Sequence, residues 1–320
     1  MSRSFIGNSL YLAAWLHYRG FFVPRRPCAW VSHKYHLPQG RRFATLSPMT
    51  RTEAVNHTSG SAGRAVVVFT DLDGTLMDHD SYDIAPAQAA LEALAARSIP
   101  VVPVTSKTRT ELVPLLARLG LSGQAIAENG AVIVNTDGSP DTADAREKIA
   151  LALDALPKNI RKAMICFCDM EIEQIAAATG LTLADATRAA AREASEPFMW
   201  QGDAPPLTTL TEILGETLEK FDLRLTQGGR FFHIVPPRDK AAAISALLSE
   251  QTPRPQSWVL GDGPNDVSML LAADRGALIA NEHVNTQRFL PADHNLYVSG
   301  VSGPAGWHEA ITAFLTAEFG

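Results

Sequence analysis

The sequence predicts an α/β protein: a doubly wound parallel sheet interrupted by an inserted α+β cap domain. Three observations predict it. From Ala65 onward, short apolar runs that end in polar turns alternate with helical patterns; residues 145–235 lose that rhythm; and the rhythm resumes after Pro237. In such a sheet, ligands are expected at the carboxyl ends of the strands.

Ala65 to Phe69, centred on three valines, reads as a strand buried on both faces. A helix is expected from Pro86 to Arg97, with proline at its start. Pro100 to Val104 reads as the second strand. A helix over Thr110 to Leu119 puts Leu112, Leu115, Leu116 and Leu119 on one face, and Gly120 ends it. Pro114 predicts a late start or a kink in that helix. Ala125–Ala127 and Ala131–Val134 flank Asn129-Gly130 as a tight hairpin. The middle holds helical stretches at 145–155, 171–190 and 207–220, with strands at 162–168, 222–226 and 230–235. The closing part predicts helices over Lys240–Leu248, Pro264–Ala272 and Ala305–Ala317, with strands at Ser257–Leu260 and Ala277–Ile279. The resulting division is a basic extension over 1–64, a core over 65–143, a cap over 144–236 and a second core part over 237–320.

Composition excludes several classes. Of 320 residues, 46% are hydrophobic and 19% charged, which fits neither a disordered nor a polytopic membrane chain. The net charge of -6 hides an asymmetry: residues 1–52 hold eight Lys/Arg and no acidic residue, leaving 20 Lys/Arg against 34 Asp/Glu in the other 268. This leader reads as an organelle-targeting peptide, as translation from a start codon upstream of Met49, or as a nucleic-acid-binding arm. Its basic residues are not clustered, so no nucleic-acid partner is expected, and its apolar run, Leu10–Leu16, is too short to span a membrane. Cys28, Cys166 and Cys168 support no disulfide framework, which points to a reducing, cytoplasmic setting. Cys166 and Cys168 fall on one face of a strand and read as packing for want of further soft ligands.

Two acidic constellations carry the chemistry. Asp71 and Asp73, in Thr70-Asp71-Leu72-Asp73-Gly74-Thr75, follow the first strand, and Gly74 lets the chain turn away. Alone they would read as an acidic turn. Gly261-Asp262-Gly263-Pro264-Asn265-Asp266 follows another apolar strand in the same way, so Asp71, Asp73, Asp262 and Asp266 can converge on Mg2+, a cation that takes oxygen ligands. Without a cation they would repel one another. Thr105-Ser106-Lys107-Thr108 ends the second strand with hydroxyls, amides and a cation suited to phosphate oxygens. By itself it would be helix capping. Lys240, at a helix start after Arg238-Asp239, would alone be a solvated lysine, but beside four aspartates it can bridge nucleophile and phosphate charge.

These residues, in this order and at strand ends, resemble the four motifs of the haloacid dehalogenase superfamily of phosphotransferases. The insertion between the second and third motifs resembles the subfamily with an α/β cap, the type found in sugar phosphatases. A closer resemblance is to the mannosyl-3-phosphoglycerate phosphatases. It rests on the DLDGT segment from Asp71, TSKT from Thr105, Ala127-Glu128-Asn129-Gly130, Arg192-Glu193-Ala194-Ser195-Glu196-Pro197-Phe198 and Gly228-Gly229-Arg230-Phe231, and covers about residues 65–318. Ala241 departs from the glycine that family places after the lysine.

The resemblance implies a Mg2+-dependent phosphatase that hydrolyses 2-O-mannosyl-3-phosphoglycerate to mannosylglycerate, a compatible solute. Asp71 would be the nucleophile, Asp73 the acid and base, and Thr105 and Lys240 the phosphate's fixed electrostatic partners. The metal would be held by Asp71, Asp73 and Asp262, with Asp266 and Asn265 ordering its surroundings. Ser106, Lys107, Asn129, Arg192, Glu196 and Arg230 are the further substrate-binding candidates; Arg192 or Arg230 would hold the substrate carboxylate, and Glu193, Glu196 and His233 would address its hydroxyls or orient the arginines. The partner expected is this small sugar phosphate, with no membrane. A glucosyl substrate, another sugar phosphatase or phosphomutase activity, and phosphosugar binding without turnover remain open.

Overall fold

The computed structural model describes residues 64–142, 144–228 and 231–320. The expectations for the basic extension, as far as residue 63, and for Arg230 lie outside the described residues. The first core segment runs β1 (Val66–Thr70), α1 (Gln88–Ala95), β2 (Val101–Pro103), α2 (Arg109–Leu119), β3 (Ala125–Ala127), β4 (Val132–Val134) and the short β5 (Pro140–Asp141). Every residue of β1 is buried. Helix α2 spans Pro114 instead of starting at it, because Thr108 and Glu111 form a reciprocal capping box at one end and Gly120 closes the other with φ 65°.

The insertion contains α3 (Ala145–Ala155), α4 (Lys158–Ala163), β6 (Met164–Cys166), α5 (Ile172–Thr179), α6 (Leu183–Ala190), β7 (Glu196–Trp200), α7 (Leu207–Glu219), β8 (Arg224–Gly228) and β9 (Phe231–Val235). The helix expected over 171–190 is two helices. Gly180 ends the first at φ 79°, and the Thr182 hydroxyl caps the second by accepting from Asp185 N–H. Strand β7, where the sequence predicts no element, lies inside an antiparallel sheet of order β6-β7-β9-β8.

The chain then returns through α8 (Lys240–Ser249), β10 (Gln256–Gly261), α9 (Val267–Leu271), β11 (Arg275–Ala280), β12 (Tyr297–Ser302) and α10 (Gly303–Phe319). The core sheet is parallel throughout, in the order β12-β11-β10-β1-β2, and a parallel bridge between Val104 and Ile126 brings β3 alongside β2. The period-two alternation of a strand divides its side chains between two faces. Val66, Val68, Trp258 and Leu260 pack against Leu94 of α1, Leu112 of α2 and Trp307 and Ile311 of α10. Val67, Phe69, Val259 and Leu278 pack on the opposite face against Ile244 and Leu247 of α8 and Met269 of α9. The strand order reverses direction between β1 and β10, whose register pairs Thr70 with Leu260. The crevice of a doubly wound sheet therefore opens beyond these two residues.

Candidate active site

Both acidic constellations enter that crevice. Asp71 follows β1 directly, and its N–H donates to Leu260 O at 2.9 Å, so the ladder continues one residue past the strand. Asp262 follows β10. Gly74, at φ 79°, turns the first loop so close to the second that a Cβ there would lie 2.7 Å from Asp262 Oδ2. Glycine is required at that approach.

The carboxylate of Asp262 is oriented by its neighbours. Thr75 Oγ1 donates to one oxygen and Asn281 Nδ2 to the other, while Thr286 Oγ1 donates to the backbone carbonyl. Lys240, the first residue of α8, is only 1% exposed. Its ammonium donates to Asp71 Oδ1 at 2.8 Å and to Asp266 Oδ1 at 2.6 Å. Asp266 Oδ2 accepts from the N–H groups of Asp262 (3.0 Å) and Gly263 (2.8 Å). Both oxygens of Asp266 are thus engaged: it clamps the lysine and its own loop, and coordination there would compete with three hydrogen bonds.

Oxygens of Asp71, Asp262 and Asp266 lie within 4.8 Å of one another. Burial, followed by the charges of Asp266 and Asp262 against the opposing pull of Lys240, holds the Asp71 carboxyl well above the usual range. Burial and the Asp266 charge push Asp262 up to about 6. Desolvation acts to lower the Lys240 pKa, but Asp266 and Asp71 outweigh it and raise the value above that of an ordinary lysine. One lysine against three carboxylates leaves the cluster short of positive charge. A hard divalent cation fits this all-oxygen donor set.

Asp73 follows Asp71 by two residues in the first loop. Its Oδ2 pairs with Lys107 Nζ at 2.8 Å, and its buried Oδ1 has no hydrogen-bond partner. Thr105 is fully buried; its Oγ1 accepts from Lys107 N–H at 3.2 Å and its carbonyl from Asn129 N–H at 2.9 Å. Asn129 Oδ1 in turn accepts from Asn265 Nδ2 at 3.2 Å, joining the hairpin turn to the loop of Asp262. Ser106 is exposed, and its carbonyl accepts from Arg192 Nη1 at 2.9 Å, which carries this cap arginine to the core loop.

Other cap candidates are held elsewhere. Glu196 is fully buried in β7, where one oxygen accepts from Cys168 N–H at 2.9 Å and the other lies 3.2 Å from Arg146 Nη2. It is thereby an internal ion-pair partner of the cap sheet, paired with an arginine of α3. Glu193 is paired with Arg109 at 2.7 Å, and His233 is buried in β9 across from Pro197. Cys166 and Cys168 have Glu196 as a neighbour within 4.8 Å, a third possible ligand that the spacing alone did not disclose.

Sequence reasoning missed Asn281, Thr286 and Arg238. Asn281 stands just past the carboxyl end of β11, and its position beyond an apolar strand was the available signal. Arg238 donates to the carbonyls of Gly130 and Ala131, each at 3.0 Å, and pairs with Asp141 at 2.9 Å, fixing the return from cap to core. Among the described residues, no helix is long and apolar enough to cross a membrane.

Residues 68–174 match the family model of haloacid dehalogenase-like hydrolases. Three solved structures extend the likeness over both parts of the core and the insertion. The sucrose-phosphatase of Synechocystis sp. PCC6803, solved with sucrose and phosphate, is 18% identical, with 78% of this chain and 98% of that one covered at a TM-score of 0.57. BT1666 of Bacteroides thetaiotaomicron, described among the phosphatases of the haloalkanoate superfamily, is 19% identical over 82% of this chain and 99% of its own, at 0.53. The subclass IIB sugar phosphatase BT4131 is 18% identical over 79% and 98%, at 0.51. Together these give the chain a haloacid dehalogenase-like fold, with an antiparallel sheet inserted as a cap.

Proposed function

We propose that this chain, with its haloacid dehalogenase-like fold, is a Mg2+-dependent sugar phosphatase that works through an aspartyl-phosphate on Asp71. The observation that carries the reading is the buried Lys240 ammonium held between Asp71 and Asp266 at the crevice where Asp262 also arrives. A structural ion pair needs no third carboxylate, and burying one beside it is costly unless a cation or ligand enters.

Asp71 Oδ2, the oxygen not engaged by Lys240, would attack phosphorus in line and expel the sugar-acid oxygen. Asp73 would protonate that leaving oxygen and then take a proton from water as the acyl phosphate is hydrolysed, which regenerates both aspartates. Lys107, paired with Asp73, would hold the carboxylate in place between the two steps. Thr105 and Lys240 would supply fixed positive and hydrogen-bonding groups to the transferring phosphoryl. Asp71, Asp262 and the backbone carbonyl of Asp73 would hold the cation, which supplies charge neutralisation at the phosphoryl oxygens.

The finer reading is a substrate of the mannosyl-3-phosphoglycerate class. Arg192, bonded to the loop of Ser106, would offer a cation to the substrate's carboxylate beside the phosphate site. Phosphate release should be measured with mannosyl-, glucosyl- and unglycosylated 3-phosphoglycerate, with and without Mg2+. Release from the mannosyl compound at least about tenfold faster than from the others is expected, corresponding to one good polar contact. Equal rates on all three would remove the substrate assignment. Asp71→Asn should abolish release while retaining the folded spectrum, and full activity in that variant would overturn the mechanism.

A further inference from the structure

We propose that Glu128 is a positioning residue that latches the cap segment 193–195 onto the core and thereby sets Arg192 beside the phosphate site; this rests on the phosphatase reading. Glu128 takes a left-handed conformation that a glutamate disfavours, ahead of an Asn129 and Gly130 that accept it. Glu128, Asn129 and Gly130 have successive φ values of 49°, 58° and 100°. Such a conformation persists where the surroundings over-determine it. Here Glu128 N–H donates to Lys107 O and Asn129 N–H to Thr105 O, both at 2.9 Å, which anchors the turn to the loop after β2.

The anchored turn aims a carboxylate at the cap. Glu128 is 1% exposed. Its Oε1 accepts from Glu193 N–H at 2.7 Å, and its Oε2 from Ala194 N–H at 3.1 Å and from Ser195 Oγ at 2.5 Å. All three donors lie in the insertion, and all three are aimed at one buried charge. If the cap moved away, the carboxylate would lose every one of them together, so the contact is made or broken as a unit.

Neighbouring contacts brace the same patch. Arg109 takes Glu193 with Nε and Nη2 at 3.0 and 2.7 Å, Arg192 Nη1 donates to Ser106 O, and Thr108 Oγ1 donates to Arg188 O at 2.9 Å. Residues 188–195 of the cap are thereby tied to residues 106–109 and 128 of the core. The carboxylate supplies the buried centre of this patch, and Arg192 lies at its edge toward Ser106. A glutamine at 128 keeps the shape but presents an amide N–H2 where an acceptor is needed.

Two measurements test this in the full-length protein. Glu128→Gln is expected to lower kcat/KM for the best sugar phosphate of the panel about tenfold or more, the effect of losing a charge-assisted hydrogen bond. Hydrolysis of p-nitrophenyl phosphate, which has no carboxylate to engage Arg192, is expected to stay within about twofold on the same grounds. In parallel, amide hydrogen exchange at residues 193–195 should speed up about tenfold in the variant while β1 and β10 keep their protection. Unchanged exchange at 193–195, or equal losses on both substrates, would overturn the latch. If Glu128→Gln does not fold, Ser195→Ala decides, because it removes one donor from the cap side and should shift both readouts the same way by a smaller factor. If the wild-type protein hydrolyses neither substrate, the phosphatase reading fails, and the exchange measurement still decides whether Glu128 holds the cap.

Discussion

Asp262 is a side chain whose surroundings favour its protonated form. Thr75 and Asn281 hold its carboxylate in a fixed direction, and burial with the Asp266 charge raises its pKa to about 6. An unfolded aspartate titrates near pH 4, so between about pH 4 and 6 the metal-free folded state binds the extra proton. Stability contributed by this group therefore falls as pH rises through that window, by roughly 3 kcal/mol over two units. A cation bound to the ionised form reverses the trend. The rise in Tm on adding Mg2+ should be clearly larger at about pH 7.5 than at about pH 5. An equal rise at both pH values would take Asp262 out of the metal site. Asp71 and Asp262 were legible in the sequence because each follows an apolar run at a strand's end. Glu128 and Asn281 were not, because their partners, Ser195 and Asp262, come from segments that only the fold brings near.

The turn between β3 and β4 shows how one backbone position serves an entire element. Gly130 lies at φ 100°, and a Cβ there would come within 2.2 Å of the Asp239 carbonyl carbon and 2.6 Å of Lys240 N. Those are the N-cap and first residue of α8, where Asp239 Oδ1 accepts from Ala242 N–H at 2.9 Å. Adding a methyl group would push the helix start, and with it the Lys240 ammonium, away from Asp71. Gly130→Ala is expected to cost about 2–4 kcal/mol from strain and overpacking together, and to lower phosphate release sharply. Gly138→Ala is the matched control: its φ is also positive, at 80°, but nothing lies within 4 Å of the added carbon, so only about 1 kcal/mol is expected and activity should persist. A similar loss in both variants would show that the close packing at Gly130 is not what matters. Asn-Gly marked this turn in the sequence, whereas β12 went unseen. Its Ser299, Gly300 and Ser302 lack the apolar run that identified the other strands, and its pairing with β11 shifts register after Leu278. Strand β7 was missed for another reason: Glu196 and Pro197 open it, and only pairing with β6 and β9 makes that segment extended.

At the scale of the whole molecule, the insertion divides the protein into parts with different chain continuity. The core sheet joins β1 and β2 to β10, β11 and β12, segments separated by the entire cap. The cap sheet is contiguous in sequence, from β6 to β9. The rhythm of the sequence revealed this division, but it could not reveal that the cap meets the core through a buried carboxylate and its neighbouring polar contacts. If Asp71 and Asp262 hold the cation as proposed, both ligands belong to core loops, so its binding would favour the folded core. Mg2+ at a concentration well above its Kd should therefore slow hydrogen exchange in β1 and β10, by about a hundredfold at 100 times Kd if those amides exchange through core unfolding. Protection of β6, β7 and β9 should rise much less if the cap opens as its own cooperative unit. An equal rise in both sheets would mean that core and cap unfold together, and the polar patch around Glu128 would then be joining two regions of one unit instead of docking one unit onto another.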